Sequence, residues 1–185
     1  MDTLQLVLAS ASPRRHRLLK AAGIPHVVRP TNVKEVYYDD RPSATALENT
    51  RGKLTAAIAQ NPGCAIIAAD TVLDFEGRCL AKPADIEEAH RMLQSLSAKT
   101  HRVITATGLS HPHATPLIDT TVTIVKFRSL SYDTIRQYCL AVNPLDRAGG
   151  YDISEHGKML LDSFKGSWTN IIGLPMEKIT VWWNA

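Results

Sequence analysis

CAIIAADT, residues 64–71, places six consecutive small or apolar residues directly before an acid and a threonine. Unbroken apolarity, rather than apolar/polar alternation, is the pattern of a central strand covered on both faces. Such a strand needs helices above and below it, so the stretch predicts an α/β architecture. It also predicts Asp70 at the strand's carboxyl end, where open α/β sheets place their ligands. An acid there can hold a metal or orient and deprotonate water; capping a turn or helix is the competing reading.

Upstream, Leu4 to Ala9 reads as a short buried strand that leads into LASASPRRHRLL, residues 8–19. Ser12-Pro13 has the chemistry of a helix start, with a hydroxyl at the N-cap and proline in the first turn, and Gly23 ends a helix over Pro13–Ala22. The first N–H groups of a helix lack intrahelical partners, and its dipole favours negative charge there. Two arginines in that position oppose the dipole unless an anion is present. Ser10, Arg14 and Arg15 therefore form a candidate phosphate site; a solvated first turn is the alternative. A strand over Ile24–Arg29, a loop over residues 30–42 and a long helix from about Ser43 to Gln60 follow, closed by Asn61-Pro62-Gly63.

Downstream, Val72–Leu80 predicts a hairpin turning at Glu76-Gly77. Asp85 and Glu88 have capping-box spacing before a helix to Leu96, whose apolar face is Ala89, Met92, Leu93 and Leu96. Two β-rich runs, Thr100–Leu109 and Leu117–Phe127, precede a helix over Ser131–Val142 stopped by Asn143-Pro144. The remainder reads as glycine turns with short strands and a last helix from about Pro175. The whole predicts one mixed α/β domain over residues 1–185, with a cleft.

The composition limits the function. A net charge of +3 in 185 residues does not suit a chain that coats nucleic acid, so any anion site is local. Cys64, Cys79 and Cys139 have no metal or disulfide spacing and read as reduced thiols. With no signal-like start and no run of about 18 apolar residues, a soluble cytoplasmic protein without nucleic-acid or membrane partners is expected. Neither GxxxxGK[ST] nor GxGxxG occurs, and His111-Pro112-His113 lies in a polar loop without a carboxylate or thiol cluster. Lys53 and Lys82 read singly as surface charges, and Trp182 and Trp183 as core or interface residues.

In order along the chain, LASASPRR (8–15), AADT (68–71), AKP (81–83), THRVIT (100–105), AGGYDI (148–153) and IIGLP (171–175) resemble the Maf family of nucleoside triphosphate pyrophosphatases, also described as septum-formation inhibitors. The resemblance implies a Maf/ITPase-like elongated mixed sheet with two lobes flanking a deep cleft, commonly as a homodimer. It further implies hydrolysis of a nucleoside triphosphate to the monophosphate and pyrophosphate with a divalent metal, usually Mg²⁺. Carried over by motif, Ser10, Arg14, Arg15, Lys53 and Lys82 would bind substrate and Asp70 would be catalytic, with Asp70 and Glu35 at the metal.

ADT with SPRR resembles the branch acting on dTTP and UTP. That branch reads the base through the first arginine, the threonine after the catalytic acid and a glutamine after A-Y-x-I. Arg14 and Thr71 match; Ser154 stands where the branch has glutamine, which opens the choice of base, including modified pyrimidines. The same departure motivates an alternative, a nucleotide-binding regulator of cell division with little turnover.

Overall fold

The structure is a computed structural model that describes residues 4–185. The strands are β1 (Leu6–Leu8), β2 (Val27–Val28), β3 (Ala65–Phe75), β4 (Arg78–Leu80), β5 (Thr100–Ser110), β6 (Leu117–Phe127) and β7 (Leu161–Lys165). The helices are α1 (Pro13–Ala21), α2 (Pro42–Gln60), α3 (Ile86–Leu96), α4 (Tyr132–Ala141), α5 (Trp168–Ile172) and α6 (Met176–Trp183). One mixed sheet runs in the order β2-β1-β3-β5-β6-β7, with β4 hairpinned onto β3. β1, β2 and β3 are mutually parallel where they pair, whereas β3, β5, β6 and β7 alternate in direction.

The apolar run at 64–69 is covered as its composition predicts. Ala65, Ile67 and Ala69 pack with Leu19 of α1 and Ile179 of α6, while Ile66 and Ala68 pack with Leu54 and Ala57 of α2. Farther along, Leu73 joins a second core with Leu93 and Leu96 of α3 and Ile135 and Tyr138 of α4. At Gly108 of β5 an added Cβ would stand 3.0 Å from Leu54 Cδ2 and 3.1 Å from Thr50 Cγ2, so glycine lets α2 lie close on the sheet.

The central strand does not end at Ala69. β3 continues through Asp70 and Thr71 to Phe75, paired with β5 from Ile66 to Asp74. On its other edge it pairs with β1 only as far as Ile67 and with β4 only from Leu73. Asp70 and Thr71 therefore lie inside a long strand, at a gap in one of its edges, rather than at a strand terminus.

Three other local features differ from expectation. The strand expected over Ile24–Arg29 contracts to Val27–Val28, because the Ile24 N–H bonds back to Leu19 O as part of the end of α1. In place of one of the short strands expected after residue 143 there is α5, whose start is set by Ser167 Oγ accepting from Asn170 N. Ser12 holds the N-cap position of α1 but makes no side-chain capping bond; its N–H donates instead to Ser10 Oγ at 3.3 Å.

Candidate active site

The gap in β3 opens into a cleft of about 450 Å³. Its lining comes from the turn from Ala9 into α1, from Glu35, Lys53, Asp70, Thr71 and Lys82, and from Asp146–Ala148, Tyr151–Ile153 and the Ile171–Gly173 turn. Ser10, Arg14, Arg15, Glu35, Lys53, Asp70, Thr71 and Lys82, expected at the site, all line it. Ser154 does not.

Both oxygens of Asp70 are held by α2. Lys53 Nζ lies 2.7 Å from Oδ1, and Asn49 Nδ2 donates to Oδ2 at 3.2 Å. Residues 49 and 53 are one helical turn apart and so share a face. Asn49 is buried, accepts from Val36 N at 2.8 Å and donates to Val36 O at 3.1 Å. The Val36 N–H can only donate, which fixes the orientation of the amide and turns its NH₂ towards Asp70. Val36 adjoins Glu35, whose Oε1 is 2.6 Å from Lys53 Nζ. Lys53 thus bridges two carboxylates. Burial acts against ionisation of Glu35, but the hydrogen bond and charge of Lys53, with help from Lys82 and Arg15, hold its pKa below the ordinary value. Asn49 was not singled out in the sequence; the signal that finds it is its i, i+4 spacing to Lys53 on a helix that passes the acid.

Arg15 does more structural work than its sequence context suggests. Its Nε donates to Gly173 O, Nη1 to both Ser10 Oγ and Ala69 O, each at 2.9 Å, and Nη2 to Thr71 Oγ1 at 3.0 Å. Four of five N–H donors are therefore engaged, one of them on the carbonyl exposed by the gap in β3. Burial draws its pKa down to about 10, opposed by the charge of Asp70, so the guanidinium remains protonated at neutral pH. Gly173 has φ +121°, and an added Cβ would stand 3.4 Å from Arg15 Nε and 3.5 Å from Thr71 Oγ1. Thr71 Oγ1 also lies 3.0 Å from Thr105 Oγ1, which can donate to Asn170 O at 3.3 Å.

Arg14 meets a residue that sequence reasoning passed over. Its Nη1 is 3.1 Å from Asp152 Oδ2, in a cleft-lining pair linking residues 138 positions apart. Asp152 is 5% exposed. Its backbone is fixed by Tyr138, whose hydroxyl accepts from Asp152 N at 2.8 Å and donates to Asp152 O at 3.0 Å. Its Oδ1 accepts from Ser154 N at 2.9 Å and Ser154 Oγ at 2.6 Å. Burial disfavours the Asp152 anion, but these Ser154 bonds and the charges of Arg14 and Arg147 outweigh it and lower the pKa. Ser154, which stands where the branch has glutamine, has its hydroxyl on Asp152 and lies outside the cleft lining, so it meets the cleft through that carboxylate.

Arg147 is a further unanticipated cation, with Nε 3.5 Å from Asp152 Oδ2. The lining cations Arg14, Arg15, Lys53, Lys82 and Arg147 face the carboxylates Glu35, Asp70, Asp146 and Asp152, a formal excess of one positive charge. Basic residues expected to oppose substrate charge are thus already largely balanced within the protein. Beside them Leu73, Ile153, Ile171 and Ile172, which share one core cluster, supply an apolar wall.

The chain matches the family described as "Maf-like protein" over residues 5–183. It is 40% identical over 177 residues to the dTTP/UTP pyrophosphatase of Akkermansia muciniphila, covering 94% of this chain and 92% of that protein. With the dTTP/UTP pyrophosphatase of Pyrococcus furiosus it shares 38% identity over 93% of this chain and 90% of the relative. The Ham1 protein of Staphylococcus aureus, 15% identical, superposes with a TM-score of 0.56, covering 97% of this chain and 98% of that one. A HAM1 protein from Coxiella burnetii, also 15% identical, gives 0.52 with 99% and 100% coverage, so the mixed α/β architecture is shared well beyond recognisable sequence similarity. With the motif-bearing residues gathered at one cleft and the family match spanning nearly the whole sequence, the chain belongs to the Maf-like protein family.

Proposed function

We propose that this protein is a nucleoside triphosphate pyrophosphatase acting on dTTP and UTP, the substrates in the names of its relatives. The observation that carries the reading is Asp70, held by both oxygens, in a cleft that combines a helix N-terminus and five cations with an apolar wall. In this reading the nucleoside lies along the apolar wall and the phosphates face the start of α1 and Lys82. Asp70 orients a water for attack at the α-phosphorus and accepts its proton. The bond from the α-phosphorus to the bridging oxygen breaks, releasing nucleoside monophosphate and pyrophosphate.

Among the described residues no group of three or more His, Cys, Asp or Glu could hold a metal ion. Asp70 and Glu35, both within reach of Lys53, fit a hard cation held by one or two carboxylates together with phosphate oxygens, the usual mode for Mg²⁺. Such an ion would neutralise charge on the departing pyrophosphate. It also answers the charge count, because a triphosphate of about four negative charges exceeds what one excess protein cation can balance. A homodimer and a cytoplasmic location belong to this reading through the family resemblance; no helix among the described residues is long and apolar enough to cross a membrane.

The test is product identification with Mg²⁺ and a nucleotide panel. Pyrophosphate release is expected, with Asp70→Asn slower by on the order of 10²-fold or more. Orthophosphate as the product, full activity in Asp70→Asn, or binding without turnover of any nucleotide would overturn the reading.

A further inference from the structure

Three features of Asp152 need a common explanation. A carboxylate in a cleft meant for polyanions is electrostatically unfavourable, since it repels the ligand and cancels a cation. Yet this one is buried, and it is held ionised by Ser154 and Arg147 of its own segment and by Arg14, 138 positions away. Its main chain is fixed from below by the fully buried Tyr138 of α4. A group so fully preorganised against the ligand's charge has a role in how Arg14 is used.

We propose that Asp152 is a specificity-determining residue that commits Arg14 to the nucleoside rather than to the phosphates, with Ser154 as its support. The inference rests on the pyrophosphatase reading above. Arg14 reaches Asp152 through a single Nη atom, and its side chain is 25% exposed, so much of the guanidinium still faces the cleft. Asp152 immediately precedes Ile153 of the apolar wall, whereas Lys53 and Asp70 pair with each other from α2 and β3. The pair therefore holds Arg14 not beside Asp70, which orients the attacking water, but beside the apolar surface that can receive a base. Its charge is offset there by Asp152, which leaves directional N–H donors for carbonyl oxygens and reduces the pull of a phosphate. Ser154 does not read the base itself. By donating twice to Oδ1 it leaves Oδ2 as the oxygen that holds Arg14.

Asp152→Asn separates this role from simple bracing, because the two predict opposite signs. If Asp152 restrains Arg14, the variant loses base discrimination and binds phosphates more tightly. The ratio of kcat/KM between the best and worst nucleotide of a UTP, dTTP and CTP panel is expected to fall about tenfold. Affinity for inorganic pyrophosphate with Mg²⁺, measured by calorimetry, is expected to rise several-fold. Ser154→Ala, which keeps the backbone N–H bond, should shift both in the same direction by less, and it supplies the answer if Asp152→Asn does not fold. Weaker pyrophosphate binding with an unchanged nucleotide ratio would overturn the proposal and leave Asp152 a structural brace. The calorimetric measurement needs no turnover, so a wild-type protein that fails to release pyrophosphate would count against the function and not against this role.

Discussion

Asn49 shows how a neutral residue can organise a charged site. Its amide joins Asp70 to the backbone beside Glu35, so that the two carboxylates proposed at the metal share one buried support. Asn49→Leu keeps much of the volume but removes the bond to Oδ2, and a misplacement of order 1 Å at the reacting groups costs about 10²-fold in rate. Steady-state kinetics of this variant should show kcat falling by an amount approaching that figure, with a much smaller change in KM. Arg14, Arg15, Asp70 and Lys82 were legible in the sequence because phosphate chemistry calls for such charges and the motifs carry them. Asn49 and Asp152 were not, since what identifies each is a partner 21 or 138 positions away. Arg15 was legible as a cation and illegible as a clamp for the same reason: its acceptors are main-chain and hydroxyl oxygens of distant segments.

At the level of elements, regular and well-capped segments were read closely from sequence. The helix beginning after Asp85 is bounded as expected, and the Asp85 side chain accepts from Glu88 N. The hairpin at Glu76-Gly77 and the paired runs that became β5 and β6 also stand near their expected limits. The short α5 was hidden because five residues show no periodicity, although Ser167 and Asn170 mark its first turn. The run of β3 past Asp70 was hidden because an acid within a strand resembles a strand end until the pairing with β5 is known. The turn after α5 is where an element's geometry bears most directly on the site. Gly173 takes a conformation that L side chains rarely adopt, and its carbonyl receives Arg15. Gly173→Ala is expected to destabilise the protein by about 1–3 kcal/mol. Thermal unfolding should record this as a lower midpoint, with weakened nucleotide binding because the same turn sets Arg15 and Thr71.

For the whole molecule, the second core contains a titrating group with no part in the reaction. His101 is buried, its Nε2 lies 2.7 Å from the Tyr151 hydroxyl, and burial draws its pKa from 6.5 down to about 4. The unfolded chain therefore binds a proton at higher pH than the folded one. Its contribution to stability is present above pH 6.5 and is lost as the pH falls from there through about 4. A shift of this size corresponds to roughly 3 kcal/mol. Denaturant titrations across that range should show the decline in wild type and a shallower one in His101→Gln. The layered architecture was readable because burial on both faces leaves a compositional mark. The balance of charge in the cleft was not, because it depends on which carboxylates the tertiary structure brings to each cation.

The uninterrupted course of β3 and β5 beneath the cleft also limits how the molecule can move. Each strand has 11 residues, roughly 36 Å of extended chain, and each takes part in both the core under α1 and α2 and the core under α3 and α4. A hinge between those halves would have to break hydrogen bonds in the middle of the sheet. Entry of a nucleotide and departure of its products must therefore be accommodated by the segments that rim the cleft, residues 30–41 and 143–157. Over such a floor, substitutions at the rim are expected to change product release while leaving the chemical step intact, which single-turnover and steady-state rates would separate.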